Sequence, residues 1–541
     1  MMNSHEEIIR QLMSDRGICS PEDIEEYLSD RPQRTYDPFL MQGMQEGVDL
    51  ILEEIDAGTR ICVYGDYDAD GVTSVCILMS VLTRLTDNVT WYIPSRFTEG
   101  YGMHTEAIDA LHADGVGLII TVDCGITSNR EVEYANSLGI RMLVTDHHQL
   151  GDELPDCIVI DPKREDETYP FRDLAGCGVA YKLLQALQRQ AGLPRSVVGE
   201  ALDLAATGTV ADIVPLKDEN RTIVKYGLQK INERSRASLA ALEEAISLEH
   251  ISAENISFGI APHINAAGRT EHAKEAVGMI LADDPDTIRT QVGKLVEYNR
   301  RRKKLQEDAY EKSEAAISGE EPIICLRVDG IHEGIAGIAA GKLKETYGRP
   351  VILTTPGEDG FLKGTGRSIP GVDLFALLDA HREMFKRVGG HKSACGFTIS
   401  EDNFRLLQPL LVEETEAIYK ADPSLLEAGG EYDLEILPGD VTVALADELA
   451  RMEPFGEGNP KPRFLLPDVF VSRPYYMGES GTHVRFQAVR DGQSASCVFF
   501  RRAQEYRQKI EGSEPVSLIG TISAQVWNGR KRVQLIVEEI L

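Results

Sequence analysis

The sequence predicts an α/β fold: a parallel-sheet domain, a long connecting helix, a smaller α/β unit and a C-terminal β-barrel. Continuous apolar runs alternate with helical stretches between residues 60 and 161, as in parallel strands covered on both faces. A long charged stretch follows Pro285, which suits the first position of a helix. Short alternating strands follow a segment at 453–462 that is dense in turn formers.

Length and composition limit the class of protein. The 541 residues leave room for about three or four folding units at roughly 100–200 residues each. Apolar residues make up 42% and charged residues 26%, as in ordinary globular proteins. The net charge of −31 argues against a protein that coats polyanions by overall charge, so any nucleic-acid site is expected to be local.

Cysteine usage and the start of the chain indicate an intracellular protein. The nine cysteines never approach C-x-x-C spacing, and several lie within apolar runs, which favours reduced core thiols over disulfides or a zinc clip. The first ten residues carry acids and a histidine where a signal peptide needs a basic and then an apolar stretch. No run reaches the ~18 apolar residues of a membrane span. We therefore expect a soluble, cytoplasmic protein without membrane contact.

The elements follow in order along the chain. Five strands are expected in the parallel sheet, and the pattern becomes helical after Ala175 as far as the segment near Ile260. A second α/β unit begins with a strand at 323–328, a helix at 335–347 and a strand at 350–354. The five strands of the first sheet are expected at residues 61–64, 89–93, 118–122, 142–144 and 157–160.

Charged residues end four of these strands. In an open parallel sheet the carboxyl ends lie along one edge, where ligands bind at the topological switch point. Carboxylates and imidazoles that converge there repel one another unless a cation neutralises them, and mixed oxygen and nitrogen ligands suit Mn²⁺, Mg²⁺ or Zn²⁺. The pattern therefore indicates a two-metal site. The residues are Asp66, Asp68 and Asp70 after the first strand, Asp123 after the third, Asp146, His147 and His148 after the fourth, and Asp161 after the fifth.

Three other interpretations of these residues remain open. The first acids resemble a calcium loop, but Ile77 stands where a bidentate Glu is required. They also resemble a phosphatase loop with Asp68 as nucleophile, which leaves Asp123 and His147 without a role. A single Asp after a strand is usually a turn or helix cap, which is the competing interpretation of Asp161.

At these residues the chain resembles the DHH phosphoesterase superfamily, and within it the bacterial exonucleases specific for single-stranded DNA. Asp146-His147-His148 is the triplet that gives the superfamily its name. The resemblance also covers the segments at 63–71, 121–125, 208–216 and 389–397, and it extends to the C-terminal tail, which resembles an oligonucleotide-binding (OB) barrel. It implies four regions: a DHH domain with N-terminal extension and helical part at 1–284, a connecting helix at 285–320, an accessory substrate-binding α/β domain at 321–425, and an OB-like domain at 426–541.

The resemblance implies roles for individual residues. His148 contacts the scissile phosphate, and Asp66 supports the cluster. Many smaller family members have a metal-binding His at the position of Tyr64, so the first ion is expected to be held more weakly here. Two divalent ions, Mn²⁺ or Mg²⁺, are implied, with Asp123 bridging them. The implied metal ligands are Asp68, Asp70, Asp123, His147 and Asp212.

Further residues are implied to bind the substrate. Arg96 follows the second strand, and glycines around Thr365 and Arg367 allow backbone approach to an anion. The resemblance implies that these three residues hold a 5′-terminal phosphate. A surface turn with a solvated Arg is the competing interpretation. In the nucleic-acid path, His263 stands where Arg is common in the family. The implied nucleic-acid-binding residues are Asn265, Arg269 and His391.

Together these features predict a two-metal exonuclease on single-stranded DNA. The resemblance implies the 5′→3′ direction and a role in repair and recombination. Single-strand-binding protein and a helicase of the RecQ type are the partners that the resemblance implies. Two rivals remain: a relative that degrades short oligonucleotides or cyclic dinucleotides, and a non-catalytic replication scaffold of the same fold.

Overall fold

A computed structural model describes residues 5–31, 34–96, 99–100, 102–357, 360–426, 430–478, 481–527 and 529–541, without the side chains of Leu426 and Trp527. The chain divides into two compact units. One unit comprises Met1–Ala261 with Gly429–Leu541, and the other comprises Pro262–Ala428. Within the described ranges, no helix is both long and apolar enough to cross a membrane.

The first unit begins with three helices and continues into a parallel sheet whose strands alternate with helices. Ser20 caps the second helix by accepting a hydrogen bond from Asp23 N, and Pro21 occupies its first turn. The elements are α1 (His5–Asp15), α2 (Pro21–Leu28), α3 (Met44–Asp56), β1 (Arg60–Gly65), α4 (Ala69–Leu82), β2 (Val89–Tyr92), α5 (Thr105–Ala113), β3 (Val116–Val122), α6 (Asn129–Ser137), β4 (Arg141–Thr145) and β5 (Ile158–Ile160).

The predicted parallel sheet is confirmed, with strand order β2-β1-β3-β4-β5. Leu118, Ile119 and Ile120 of β3 are fully buried, which explains the unbroken apolar runs in the sequence. The chain passes from β1 to β2 on one side and then returns to β3 on the other. The switch point therefore lies between the carboxyl ends of β1 and β3.

Helices complete this part of the first unit. They are α7 (Gly176–Gln190), α8 (Ser196–Glu200), α9 (Leu202–Ala211), α10 (Asp218–Asn232), α11 (Ala237–Ala245) and α12 (Ala253–Asn255). Lys182 of α7 and Glu219 of α10 form a buried ion pair at 2.8 Å. Glu219 also accepts hydrogen bonds from Tyr36 N and the Tyr169 hydroxyl, so its carboxylate joins the N-terminal segment to the helices.

Replacing Lys182 with methionine is expected to lower the free energy of unfolding by about 3 kcal/mol, because it leaves a buried carboxylate without its cation. Lys420→Met is the matched control. Lys420 forms an exposed pair with Glu416, which is worth less than ~1 kcal/mol. Urea denaturation of both variants measures the difference, and equal stabilities would contradict a structural role for the buried pair.

The second unit holds a mixed sheet and the long helix. Asp284 caps α15 through Thr287 N, and Pro285 stands at its first position, as the sequence indicates. The sheet of the second unit has the order β6-β7-β8-β10-β9, and β6 and β7 are its parallel pair. The elements are α13 (Ala261–Thr270), α14 (Lys274–Ile280), α15 (Pro285–Ala315), β6 (Ile324–Arg327), α16 (Glu333–Tyr347), β7 (Val351–Pro356), β8 (Leu362–Arg367), α17 (Leu374–Asp379), β9 (Phe385–His391), β10 (Ala394–Ile399) and α18 (Glu401–Ala421).

The C-terminal strands form a closed five-stranded barrel, which confirms the predicted OB-like fold. Strand β12 pairs with both β13 and β15, and the parallel pair β14 and β16 completes the ring. Ile8 and Leu12 of α1 share a hydrophobic core with Phe464 and Leu518 of this barrel. The elements are β11 (Leu434–Glu435), α19 (Val443–Ala450), β12 (Arg463–Met477), β13 (His483–Arg490), β14 (Gln493–Phe499), α20 (Arg507–Glu511), β15 (Val516–Trp527) and β16 (Arg530–Ile540).

Candidate metal centre

The acids after β1 are positioned by the start of α4. Asp68 caps this helix, and its Oδ1 accepts hydrogen bonds from Asp70 N at 2.9 Å and Gly71 N at 3.0 Å. A Cβ atom at Gly71 would lie 2.4 Å from the carbonyl oxygen of Asp66, so only glycine allows this tight turn. The turn brings Asp66, Asp68 and Asp70 to the switch point of the sheet.

Asp70 lies against the first turn of α7. Its two carboxylate oxygens accept hydrogen bonds from Gly176 N at 2.7 Å and from Cys177 N at 2.9 Å. A Cβ atom at Gly208 of α9 would lie 2.8 Å from Oδ1 of Asp70, and one at Gly176 would lie 2.6 Å from Oδ1 of Asp123. Two helices therefore approach the carboxylates closely enough that these two positions have no room for a side chain.

Asp123 follows β3 in a left-handed backbone conformation, with φ at 59°. This conformation is uncommon for residues other than glycine, but Asp tolerates it better than most. Oδ1 of Asp123 lies 3.1 Å from Nε2 of His147, which follows β4. Asp212 at the end of α9 places its Oδ2 3.6 Å from the same nitrogen, so His147 lies beside carboxylates from three elements.

Asp146 holds the loop that carries the two histidines. Its carboxylate accepts hydrogen bonds from Ile126 N at 2.9 Å and His147 N at 2.7 Å, and Oδ1 lies 2.7 Å from Nδ1 of His148. Sequence reasoning placed Asp146 at this edge but assigned it no separate role. The signal was available in the sequence, since an acid two residues before a histidine can reach the ring and orient it.

The pKa values of the carboxylates reflect burial and mutual repulsion. Burial, and then the neighbouring acids, raises the pKa of Asp66 and Asp123 well above the ordinary range. The same two causes raise the pKa of Asp212 to about 8. Burial lowers the pKa of His147 to about 4, so this ring is neutral at pH 7 and able to act as a ligand.

The residues fit divalent cations. Among the described residues, Asp66 Oδ1, Asp123 Oδ1 and both ring nitrogens of His147 are buried and make no hydrogen bond, although Asp123 Oδ1 and His147 Nε2 are neighbours. Buried polar atoms of this kind are rare in proteins unless an ion or water satisfies them. Ligand atoms lie within 4.8 Å of one another in three groups: Asp123, His147 and His148; Asp70, His147 and Asp212; and Asp66, Asp68 and Asp123.

His148 differs from its neighbour in protonation. Burial lowers its pKa, but the hydrogen bond with Asp146 and the nearby carboxylates outweigh burial and raise it to about 9. His148 is therefore an imidazolium at neutral pH in the metal-free protein. The centre thus combines one neutral imidazole, one charged imidazole and a set of acids.

Three other residues that the sequence analysis singled out near this edge, Tyr64, Asp161 and Arg96, make defined contacts. Tyr64 is fully buried, and its hydroxyl donates to Gly102 O at 3.1 Å, away from the cluster. Asp161 accepts a hydrogen bond from Lys163 N at 2.7 Å, the geometry of a turn, although its Oδ2 has no partner within the described part of the chain. The guanidinium of Arg96 lies over the ring of Tyr67, 4.9 Å from its centroid.

The second unit contains the other predicted substrate residues. On β8, Nη1 of Arg367 donates to Thr365 Oγ1 at 3.1 Å, so the two predicted phosphate contacts lie side by side. Arg269 donates to Gly334 O at 3.2 Å, Asn265 is half-buried, and His391 is exposed at the end of β9. His263 is buried instead, with its Nε2 2.9 Å from Nδ2 of Asn299 on the long helix.

Three family models match the chain. Residues 60–209 match the N-terminal domain of the DHH family, residues 320–416 match the DHHA1 domain, and residues 432–539 match the RecJ OB domain. The first match contains the acids after β1 and β3 and both histidines. Asp212 falls just beyond its end.

Curated relatives and solved structures extend the match to nearly the whole chain. The single-stranded-DNA-specific exonuclease RecJ of Bacillus subtilis is 35% identical over 98% of this chain and 67% of its own length. RecJ of Escherichia coli is 32% identical over 98% of this chain and 95% of its own length. The crystal structure of Thermus thermophilus RecJ in complex with Mn²⁺ matches with a TM-score of 0.81 at 31% identity, and covers 98% of this chain and 75% of that one.

Proposed function

This chain belongs to the RecJ family of DHH proteins, and we propose from that membership that it is a metal-dependent exonuclease specific for single-stranded DNA, which degrades strands from the 5′ end. The observation that carries the proposal is the cluster of acids and histidines at the switch point, with buried ligand atoms that lack hydrogen-bond partners. In a non-catalytic scaffold, buried carboxylates without hydrogen-bond partners would destabilise the fold and serve no function.

We assign the metal ligands to Asp68, Asp70, Asp123, His147 and Asp212, and Asp66 supports the cluster from beside Asp68. When bound, two divalent ions such as Mn²⁺ or Mg²⁺ activate a water and stabilise the attacking and leaving oxygens of a phosphodiester. The hydrogen bonds of Asp70 to the start of α7 hold its carboxylate in one orientation. The neutral ring of His147 provides the nitrogen ligand.

His148 acts on the substrate and not on the metal. Its Nδ1 is held by Asp146, and its positive charge offsets the negative charge that develops on the phosphate in the transition state. The hydrogen bond with Asp146 maintains that charge at neutral pH.

Substrate binding is assigned to residues of both units. The family resemblance assigns contact with the 5′-terminal phosphate to Arg96 in the first unit and, separately, to Thr365 and Arg367 in the second. It assigns contact with the strand to Asn265, Arg269 and His391. The OB-like barrel extends the binding surface to a longer polymer, which favours DNA strands over dinucleotides as the substrate.

A polarity assay tests the function. With Mn²⁺, we expect the protein to release mononucleotides from the 5′ end of a single-stranded oligonucleotide, and to leave the matching duplex intact. Oligonucleotides labelled at either end distinguish the two directions, and a 5′-labelled strand should lose its label first. Faster turnover of dinucleotides than of 30-mers would contradict the proposal and favour a small-substrate phosphodiesterase.

The cellular setting is also a proposal. We place the enzyme in the cytoplasm, in DNA repair and recombination, with single-strand-binding protein and a RecQ-type helicase as partners that expose its substrate. Family membership supports this setting. Addition of each purified partner to the exonuclease assay on a tailed duplex tests it.

A further inference from the structure

The first turns of α16 lie against the predicted phosphate contacts in the second unit. Arg367 and Thr365 lie on β8, which packs against this helix. Arg269 from α13 also reaches the helix, where it donates to Gly334 O. Two arginines that are predicted to bind the substrate, Arg269 and Arg367, therefore lie against the same end of α16.

Arg367 is held by backbone and hydroxyl groups and not by an acid. Its Nη1 donates to Thr365 Oγ1 at 3.1 Å and to Gly366 O at 2.7 Å. Within the described ranges it pairs with no carboxylate, and burial lowers its pKa. A half-buried guanidinium without an anion is poised to bind one.

Gly337 provides the space that this guanidinium occupies. A Cβ atom at position 337 would lie 2.7 Å from Nη2 of Arg367 and 3.4 Å from Oγ1 of Thr365. The first distance is far shorter than van der Waals contact, so a side chain at this position would push the guanidinium aside. The same helix has a glycine one turn later, Gly341, where an added Cβ would meet nothing within 4 Å.

We propose that Gly337 is a positioning residue for 5′-phosphate recognition. Because position 337 has no side chain, the guanidinium of Arg367 can lie beside Thr365 and against the first turns of α16. The inference rests on the proposed role of Arg367 in the 5′→3′ exonuclease. Arg367 is long and flexible, so an alanine at 337 displaces the guanidinium and leaves the fold intact. The expected defect is therefore in recognition of the 5′ end and not in the chemical step.

The test compares Gly337→Ala with Gly341→Ala in the full-length, Mn²⁺-loaded enzyme. Both substitutions add the same methyl group to the interior of α16 and gain the same helix propensity, so they differ only in the displaced guanidinium of Arg367. Gly337→Ala should raise KM for a 5′-phosphorylated oligonucleotide about tenfold, or ~1.4 kcal/mol, with kcat changed by less than about twofold. It should also remove the preference for a 5′-phosphate over a 5′-hydroxyl end, whereas Gly341→Ala should behave as wild type.

A double-mutant cycle with Arg367→Ala separates this inference from the proposed function. If Gly337 acts through Arg367, Gly337→Ala adds nothing in the Arg367→Ala background, where no guanidinium remains to be displaced. Additive effects, or a Gly337→Ala enzyme that matches Gly341→Ala, would overturn the positioning role and leave the phosphate site intact. An Arg367→Ala enzyme that keeps its full 5′-phosphate preference would overturn both.

Stability provides a second measure if Gly337→Ala unfolds. Recovery of folding in the double variant would support the clash with Arg367, because truncation of the arginine removes the atoms that collide. A double variant that remains unfolded would overturn the inference.

Discussion

Asp123→Asn is expected to lower kcat for 5′-phosphorylated single strands by about 10⁴-fold, or ~5.4 kcal/mol of transition-state stabilisation. Asp123 is the acid proposed to bridge the two ions, and its Oδ1 lies buried beside His147 without a hydrogen-bond partner among the described residues. Asparagine keeps the shape but provides no negative charge for the cations. Single-turnover kinetics with saturating Mn²⁺ measure the loss.

The same substitution should stabilise the protein in EDTA. Because burial and Asp70 raise the pKa of Asp123, its charged form is disfavoured in the folded state. That penalty is present above the ordinary pKa of Asp and grows as pH rises, so the gain in Tm of Asp123→Asn should be larger at pH 8 than at pH 5. Mn²⁺ should raise the Tm of the wild type and have little effect on the variant.

Asp56→Asn is the control for both measurements, because Asp56 is an exposed carboxylate at the end of α3. It should retain wild-type activity and the wild-type response to Mn²⁺. If Asp123→Asn kept the Mn²⁺-dependent rise in Tm, the bridging role would be wrong, whatever the activity.

Asp146→Asn is expected to lower kcat by about 10³-fold, or ~4 kcal/mol, although it replaces none of the assigned metal ligands. The carboxylate accepts hydrogen bonds from three backbone N–H groups and from Nδ1 of His148, and the NH2 group of an asparagine would face some of these donors with another donor. The variant therefore loses both the orientation and the charge of His148.

The pH profile distinguishes loss of charge from general disruption. In the wild type, activity that requires the His148 imidazolium should fall as pH rises through the pKa of that ring, which the hydrogen bond with Asp146 raises. Without Asp146 the pKa of His148 falls, so the alkaline limb should move to lower pH. Asp152→Asn, an exposed carboxylate in the loop between β4 and β5, is the control and should leave the limb in place. An unmoved limb in Asp146→Asn would show that the hydrogen bond with Asp146 does not set the charge of His148.

Much of the metal centre was predictable from the sequence. Apolar runs identify parallel strands, and the strands of such a sheet end on a common edge, so Asp66, Asp123 and His147 were expected to meet. Asp212 was not visible to this reasoning, because it ends a helix and follows no strand. Only the resemblance to the DHH superfamily indicated it.

The periodicity of the sequence could not predict contacts between segments that are far apart in the chain. The start of α7 binds Asp70, and Gly176 and Gly208 allow the two helices to approach the acids. The sequence around a helical glycine does not show why a glycine is needed there, because the atom that leaves no room for a side chain belongs to another element. Nothing in the sequence indicated that Gly337 makes room for Arg367, because Arg367 lies on a different element, β8.

The sequence by itself determined which segments are strands and helices, where the acids fall at strand ends, and which family the motifs resemble. These features are local, since they depend on the side-chain period and on residues close together in the chain. The tertiary structure alone decided that α1 packs in the core of the C-terminal barrel, that Asp146 holds His148, and that Arg367 rests against Gly337. These contacts depend on how separate surfaces fit together, and no short stretch of sequence records that fit.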